Sequence, residues 1–326
     1  MPDFEERNAV TLGRITGTSR RLQARDFPPE LLRLFDEYVH GLTDRRGFLA
    51  RAAKFVAAGT SAVTVLEALN PRFAEAQQVR PSDPRIKTEW VEFESPQGYG
   101  KMRGYQVGPA KPAGKLPTVL VVHENRGLNP HIEDITRRLA LENFLAFAPD
   151  ALVPLGGYPG DEDKARELFA KLDQNKTRED FVAAAKLLKR HSQGNGQLGT
   201  VGFCYGGGVV HFLATRLPEL DAAVAFYGLA SAPEAARKVK AALLVHLADH
   251  DERINGAWPP YEAALKAAQI PFEVFHYPGT EHGFNNDTTP RYDEAAAKLA
   301  WQRTVAFLHR TLRGPSQPPH AAEKTP

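Results

Sequence analysis

From residue 86 onward, short apolar runs alternate with longer stretches whose apolar residues recur every three to four positions. Residues 90–93 and 102–107 predict an antiparallel strand pair. Residues 118–122 are apolar without interruption, as a strand buried on both faces must be. A helix over 132–142 follows, then a strand at 145–148 and helices near 164–172 and 179–189. Next come a strand at 198–201 and a helix over 209–214. Strands at 222–226 and 242–247, a helix over 261–268, a strand at 272–275 and a last helix over 293–312 complete the pattern. Strands and helices in alternation predict an α/β domain, with a mostly parallel central sheet and helices on both faces.

The first 85 residues follow another rule. Residues 1–27 are polar and predict disorder. Residues 28–40 open on proline and carry apolar side chains at helical spacing, and 44–69 is a second helical stretch. Residues 77–85, with two prolines, read as a linker. Within this region, Asp44-Arg45-Arg46-Gly47-Phe48-Leu49 resembles a twin-arginine export motif. It is followed by a moderately apolar segment and by Ala74-Glu75-Ala76, a small-residue cleavage site. A long stretch before the arginines, and Lys54 and Glu67 inside the apolar run, argue instead for a helical arm packed on the following domain. Two readings of 28–85 therefore stand: a periplasmic export signal plus linker, or an arm on a protein that stays in the cytoplasm. The catalytic domain is expected at 86–312, and the Pro-rich tail, 313–326, is expected to be disordered.

Charge narrows the choice of partner. The chain's 326 residues carry 41 Lys and Arg against 39 Asp and Glu, a net of +2, which offers no basic footprint for nucleic acid. No run of apolar residues is long enough for an ordinary membrane-spanning helix. One cysteine excludes an internal disulfide, and the histidines fall into no metal-ligand spacing. Neither a metal nor an organic cofactor is expected.

That one cysteine lies in Gly202-Phe203-Cys204-Tyr205-Gly206-Gly207-Gly208, between a predicted strand and a predicted helix. A reactive atom at a sharp strand-to-helix turn has the layout of a nucleophile elbow. The glycines permit the bend, and the helix N-terminus favours a thiolate. A lone cysteine is more often a small core hydrophobe, and it is the flanking glycines that argue otherwise. A thiol nucleophile needs a base and a group to orient that base. In hydrolases built on such an elbow the order along the chain is nucleophile, acid, histidine. After the strand at 242–247 comes Asp249-His250-Asp251, and after that at 272–275 comes Glu281-His282-Gly283-Phe284. Both loops belong at the carboxyl edge of the sheet, where ligands bind. His282 is the candidate base. Asp249 and Asp251 compete to orient it, and either can be an ordinary loop cap. Glu124, after the strand at 118–122, would stand beside the thiol, or else pair with Arg126. The other histidines considered, His123, His211, His246, His250 and His276, read as structural or solvent-facing.

Together, the Gly202–Gly207 elbow, Glu124, the Asp251-Glu252-Arg253-Ile254 loop and Glu281-His282-Gly283-Phe284 resemble the dienelactone hydrolase (carboxymethylenebutenolidase) family over residues 86–312. The resemblance implies the α/β-hydrolase fold and favours Asp251 over Asp249. It implies that Glu124 holds the resting thiol and takes its proton, and that the N–H groups of Tyr205 and Asn125 form an oxyanion hole. Members that cleave dienelactone grip its carboxylate with two arginines. Arg166 falls where the first is expected. The second position is Asn286 here, with Arg291 displaced nearby, so a broader ester or lactone range is implied.

Three functions fit these residues: a cysteine-dependent hydrolase of carboxylic esters or lactones, a thioesterase or peptidase on the same fold, and a non-catalytic binding module. An intact set of Cys204, Asp251, His282 and Glu124 favours the first, with a small ester or lactone as its partner.

Overall fold

The computed structural model describes residues 21–56 and 61–313; the disorder expected for 1–20 and 314–326 falls outside the described residues. Residues 21–27 depart from that expectation. Ala24–Asp26 form a 3-10 turn and Phe27 is buried, because its ring closes one end of a small apolar core.

That core belongs to an arm of short helices, α1 (Pro29–Val39), α2 (Arg45–Ala52), α3 (Ala62–Leu69) and α4 (Phe73–Ala76). The helical stretch expected over 44–69 is broken: a 3-10 turn at Ala53–Phe55 follows α2 directly, and α3 begins afresh behind a Ser61 cap. Leu31, Phe35, Tyr38, Phe48, Val65 and Leu66 meet inside the arm. Phe48 is fully buried, which contributes roughly 1.5–3 kcal/mol. The segment expected to be a linker is tied down as well. The N–H of Val79 donates to Asp134 at 2.8 Å, and Arg137 donates to the Val79 carbonyl at 2.7 Å.

The main domain carries eight strands and six long helices in the described residues. In chain order these are β1 (Ile86–Ser95), β2 (Gly100–Pro109), β3 (Leu116–Val122), α5 (Pro130–Leu141), β4 (Leu145–Pro149), α6 (Glu162–Phe169), α7 (Gln174–Lys189), β5 (Gly194–Phe203), α8 (Tyr205–Arg216), β6 (Ala222–Phe226), β7 (Ala242–His250), α9 (Glu252–Ala267), β8 (Phe272–Glu281) and α10 (Glu294–Leu312). They form one sheet in the order β1-β2-β4-β3-β5-β6-β7-β8. The pairings β1–β2 and β2–β4 are antiparallel, and all the others are parallel. β3, β4 and β6 are buried at every position, as strands covered on both faces are. One apolar core lies on each side of the sheet.

α9 begins nine residues before the helix expected at 261. Pro259 and Pro260 sit inside it. A proline pair ordinarily ends a helix, but here Asp251 caps the first turn, and Trp258, Tyr261 and Leu265 anchor the helix to the core.

Candidate active site

β5 delivers Cys204 to the carboxyl edge of the sheet. The residue adopts φ 54° and ψ −113°, a left-handed conformation that a side chain rarely takes and that a crowded turn must impose. The crowding is visible at Gly206, where a Cβ would lie 2.2 Å from the Val122 carbonyl oxygen. α8 therefore starts in contact with β3, and its first residue, Tyr205, has an N–H with no partner inside the helix. The Cys204 N–H is held by the Phe226 carbonyl at 3.0 Å.

Of the two carboxylates that spacing left open, the structure brings to His282 the one the family resemblance favours, Asp251. One Asp251 oxygen lies 2.5 Å from Nδ1 of His282, and the other accepts from the Ile254 N–H at 3.4 Å. Asp249 instead accepts from the Gly279 N–H at 2.8 Å and shapes the end of β8. Nε2 of His282 is buried without a hydrogen-bond partner. Tyr227, itself at φ 38°, packs its ring 4.9 Å from that of His282. No pattern in the sequence singles Tyr227 out.

The sulfur's partner came from an unexpected direction. His40, at the end of α1, places Nε2 3.3 Å from Cys204 Sγ. The other face of its ring is held by Asp36, with Nδ1 2.8 Å from the Asp36 carbonyl and 3.2 Å from its carboxylate. The spacing Asp36-x-x-x-His40 puts the two residues one helical turn apart. It is the one trace of this pair in the sequence, and it carries no hint of Cys204.

Charge completes the picture. Burial pushes the Cys204 thiol up, but the charges of His282 and His40, with the hydrogen bond from His40, outweigh it and bring the thiol down to about 6. Burial pulls His40 down, yet the thiolate and Asp36 hold it up at about 9. His282 behaves alike: burial opposes its charge, while Cys204 and Asp251 raise it well above the ordinary histidine value. These opposed shifts favour a thiolate beside imidazolium. His40, Cys204 and His282 offer ligand atoms within 4.8 Å of one another, the one described cluster close enough to consider for a metal. The Cys204–His40 hydrogen bond and the hold of Asp251 on His282 account for the cluster, and we assign no ion to it.

Glu124 accepts from Asn286 at 3.1 Å, while the Asn286 oxygen is held by Thr288. Arg126 pairs with Glu162, not with Glu124. The Asn125 side chain bridges Arg126 and the carbonyl of Val39, the latter at 2.7 Å. Arg166 stacks 3.9 Å over the Tyr38 ring and donates to the Tyr38 carbonyl at 2.5 Å. Arg291 pairs with Asp36 at 3.1 Å and lies over Phe35. The arm thus engages both arginines and the Asn125 side chain. A cavity of ≈ 550 Å³ remains beside the sulfur, walled by Phe169, Phe212 and Leu229 and carrying Arg166, Arg178 and Arg253. His246 is structural: it sits between Tyr277 and Thr304, and burial holds it down at about 3.

A parallel sheet with a strained turn at the carboxyl edge of β5 defines an α/β-hydrolase. The chain belongs to the dienelactone hydrolase family, whose model matches residues 102–312. A second model, described as YqhI-like, matches residues 18–54, a range that includes α1 and α2 of the arm. The "Putative hydrolase fragment YghX" of Escherichia coli is 51% identical over 113 residues, covering 35% of this chain and 97% of the fragment. The "Putative carboxymethylenebutenolidase" of Saccharolobus solfataricus is 32% identical over 249 residues, covering 65% of this chain and 95% of its own length. A crystal structure titled "Putative Dienelactone Hydrolase" from Klebsiella pneumoniae superposes with a TM-score of 0.61 at 32% identity, covering 69% of this chain and 99% of that one.

Proposed function

We propose that this protein hydrolyses carboxylic esters or lactones through a covalent acyl-enzyme on Cys204, with His282 and Asp251 completing a triad. The observation that carries the reading is the sulfur on its strained turn beside an imidazole whose Nδ1 is fixed by a buried carboxylate. The thiolate attacks the carbonyl carbon. The N–H groups of Tyr205 and Asn125 receive the developing oxyanion, each worth about 3 kcal/mol in comparable sites. The leaving oxygen takes the proton of the imidazolium beside the sulfur as its bond to carbon breaks, and the acyl-enzyme remains. Nε2 of His282 then accepts a proton from water, hydroxide attacks the thioester, and the carbon–sulfur bond breaks. Asp251 keeps the ring in the tautomer this needs.

Substrate class follows from the cavity. Its aromatic and leucine wall suits an apolar acyl or alkyl group, and its three arginines suit an anionic one. Arg291 is taken by Asp36 and Arg166 by the Tyr38 carbonyl, so carboxylate recognition falls chiefly to Arg178 and Arg253. An ester or lactone bearing a carboxylate is the best fit.

The test is Cys204→Ala in the full chain, assayed with p-nitrophenyl acetate. Turnover is expected to fall to background with the melting temperature preserved. Substantial residual turnover would overturn the reading.

A further inference from the structure

His40 belongs to the arm, yet its ring touches the atom that reacts. The contact is built rather than incidental. Arg291 holds Asp36, Asp36 holds Nδ1 of His40, and Nε2 of His40 meets the sulfur. The His40 and His282 rings stand edge to face with centroids 4.8 Å apart. The sulfur therefore lies between two imidazole–carboxylate pairs, Asp251–His282 from the main domain and Asp36–His40 from the arm. Glu124, which the family resemblance casts as the thiol's proton acceptor, is hydrogen-bonded to Asn286 instead.

We propose that His40 is a catalytic residue supplied by the N-terminal arm, the base that takes the proton of Cys204 and returns it to the leaving group. The proposal rests on the reading of Cys204 as nucleophile. The proton balance closes. At rest the S–H proton sits on Nε2 of His40. The sulfur–carbon bond forms, the bond from carbon to the leaving oxygen breaks, and that oxygen takes the His40 proton. In the second half the sulfur is acylated and no thiolate favours charge on His282, so its Nε2 takes a proton from water, the hydroxide attacks, and the thiolate is released. The His282 proton passes to His40 and restores the resting state. Two imidazoles divide a labour that a single triad histidine performs alone.

The groups facing His40 are Asp36 on its own helix, Cys204 at the start of α8, and His282 with Asp251 behind it from the β7 and β8 ends. Arg291 lies behind Asp36, and Arg166 of α6 reaches the neighbouring Tyr38 carbonyl. Arg291 and the two histidines favour deprotonated Asp36, and the thiolate favours protonated His40.

The experiment compares His40→Ala with the parent chain and with Cys204→Ala. Iodoacetamide reports Cys204 alone, since the chain has no other cysteine. For His40→Ala the pH midpoint of alkylation should move upward by about one unit or more, and kcat/KM at pH 7 should fall roughly tenfold or more, as for loss of a general base. Added imidazole should restore several-fold of that loss. His40→Gln, whose amide keeps a donor toward Asp36, carries the same test if alanine loosens the arm. Unchanged alkylation and unchanged kcat/KM would overturn the proposal. A rise in activity would overturn it too, showing the arm to be a plug. Turnover persisting in Cys204→Ala would instead overturn the nucleophile reading.

Discussion

Asp251 holds His282 at 2.5 Å with one carboxylate oxygen while the other caps α9 at the Ile254 N–H. One residue thus sets both the start of a helix and the orientation of the His282 ring. The two duties separate on substitution. Asparagine caps helices about as well as aspartate, so Asp251→Asn should shift stability by under about 1 kcal/mol. It should lower kcat by about 10³–10⁴, the scale seen when a triad carboxylate is neutralised. Thermal melting and ester kinetics on one preparation check both halves.

The opposed shifts of Cys204 and His40 predict the pH response. Cys204 is depressed to about 6, so its contribution to stability is fully present above the unfolded thiol value and is lost as pH falls through about 6. His40 is raised to about 9, so its contribution is fully present below the unfolded histidine value and is lost as pH rises through about 9. The melting temperature should therefore fall on both sides of this window. Alkylation of Cys204 should rise through about pH 6 and then level off. A midpoint near the ordinary thiol value would remove the ion pair from the account.

Backbone contact at the elbow predicts a contrast between two glycines. In Gly206→Ala the new Cβ would lie 2.2 Å from a β3 carbonyl oxygen, and overpacking of rigid backbone should cost about 2–3 kcal/mol or prevent folding. Gly256, inside α9, has open space where a Cβ would stand. Gly256→Ala should stabilise the protein by about 0.5–1 kcal/mol. Denaturant melts of the two variants check the order.

The arginine pair that resembles an export motif has a second use. Arg45 meets Asp163 of α6 at 2.6 Å, and Tyr38 hydrogen-bonds the same carboxylate. Phe48, three residues further on, is fully buried. If His40 works on Cys204, the working protein keeps the arm, and its intact mass from the native host includes residues 21–76. A mature chain beginning at Gln77 would leave the site without His40 and support the export reading.

Periodicity carried the main domain well, because strands buried on both faces must be apolar throughout and the helices between them must alternate faces. The run at 118–122 is β3, and the apolar stretch at 242–247 is most of β7. It failed at α9, where Pro259 and Pro260 argue locally for a break that Trp258 and Tyr261 overrule by packing. It failed again at 44–69, where helical composition continues through a turn.

Local chemistry around Cys204 and His282 was legible for a related reason: a strained turn needs glycines beside it, and those glycines stand next to the reactive atom in the chain. Spacing alone did not separate Asp251 from Asp249, which lie two residues apart at the end of β7 and differ only in where the backbone directs them; only the family resemblance favoured Asp251. His40 was less legible still. It lies 164 residues from Cys204, and nothing in a helix of ordinary amphipathic pattern announces the surface on which it will dock. Composition and spacing act along the chain and shape each element. The meeting of an arm histidine with an elbow thiol is set by how Phe35, Tyr38, Arg166 and Arg291 fit together in space, and no stretch of sequence contains that fit.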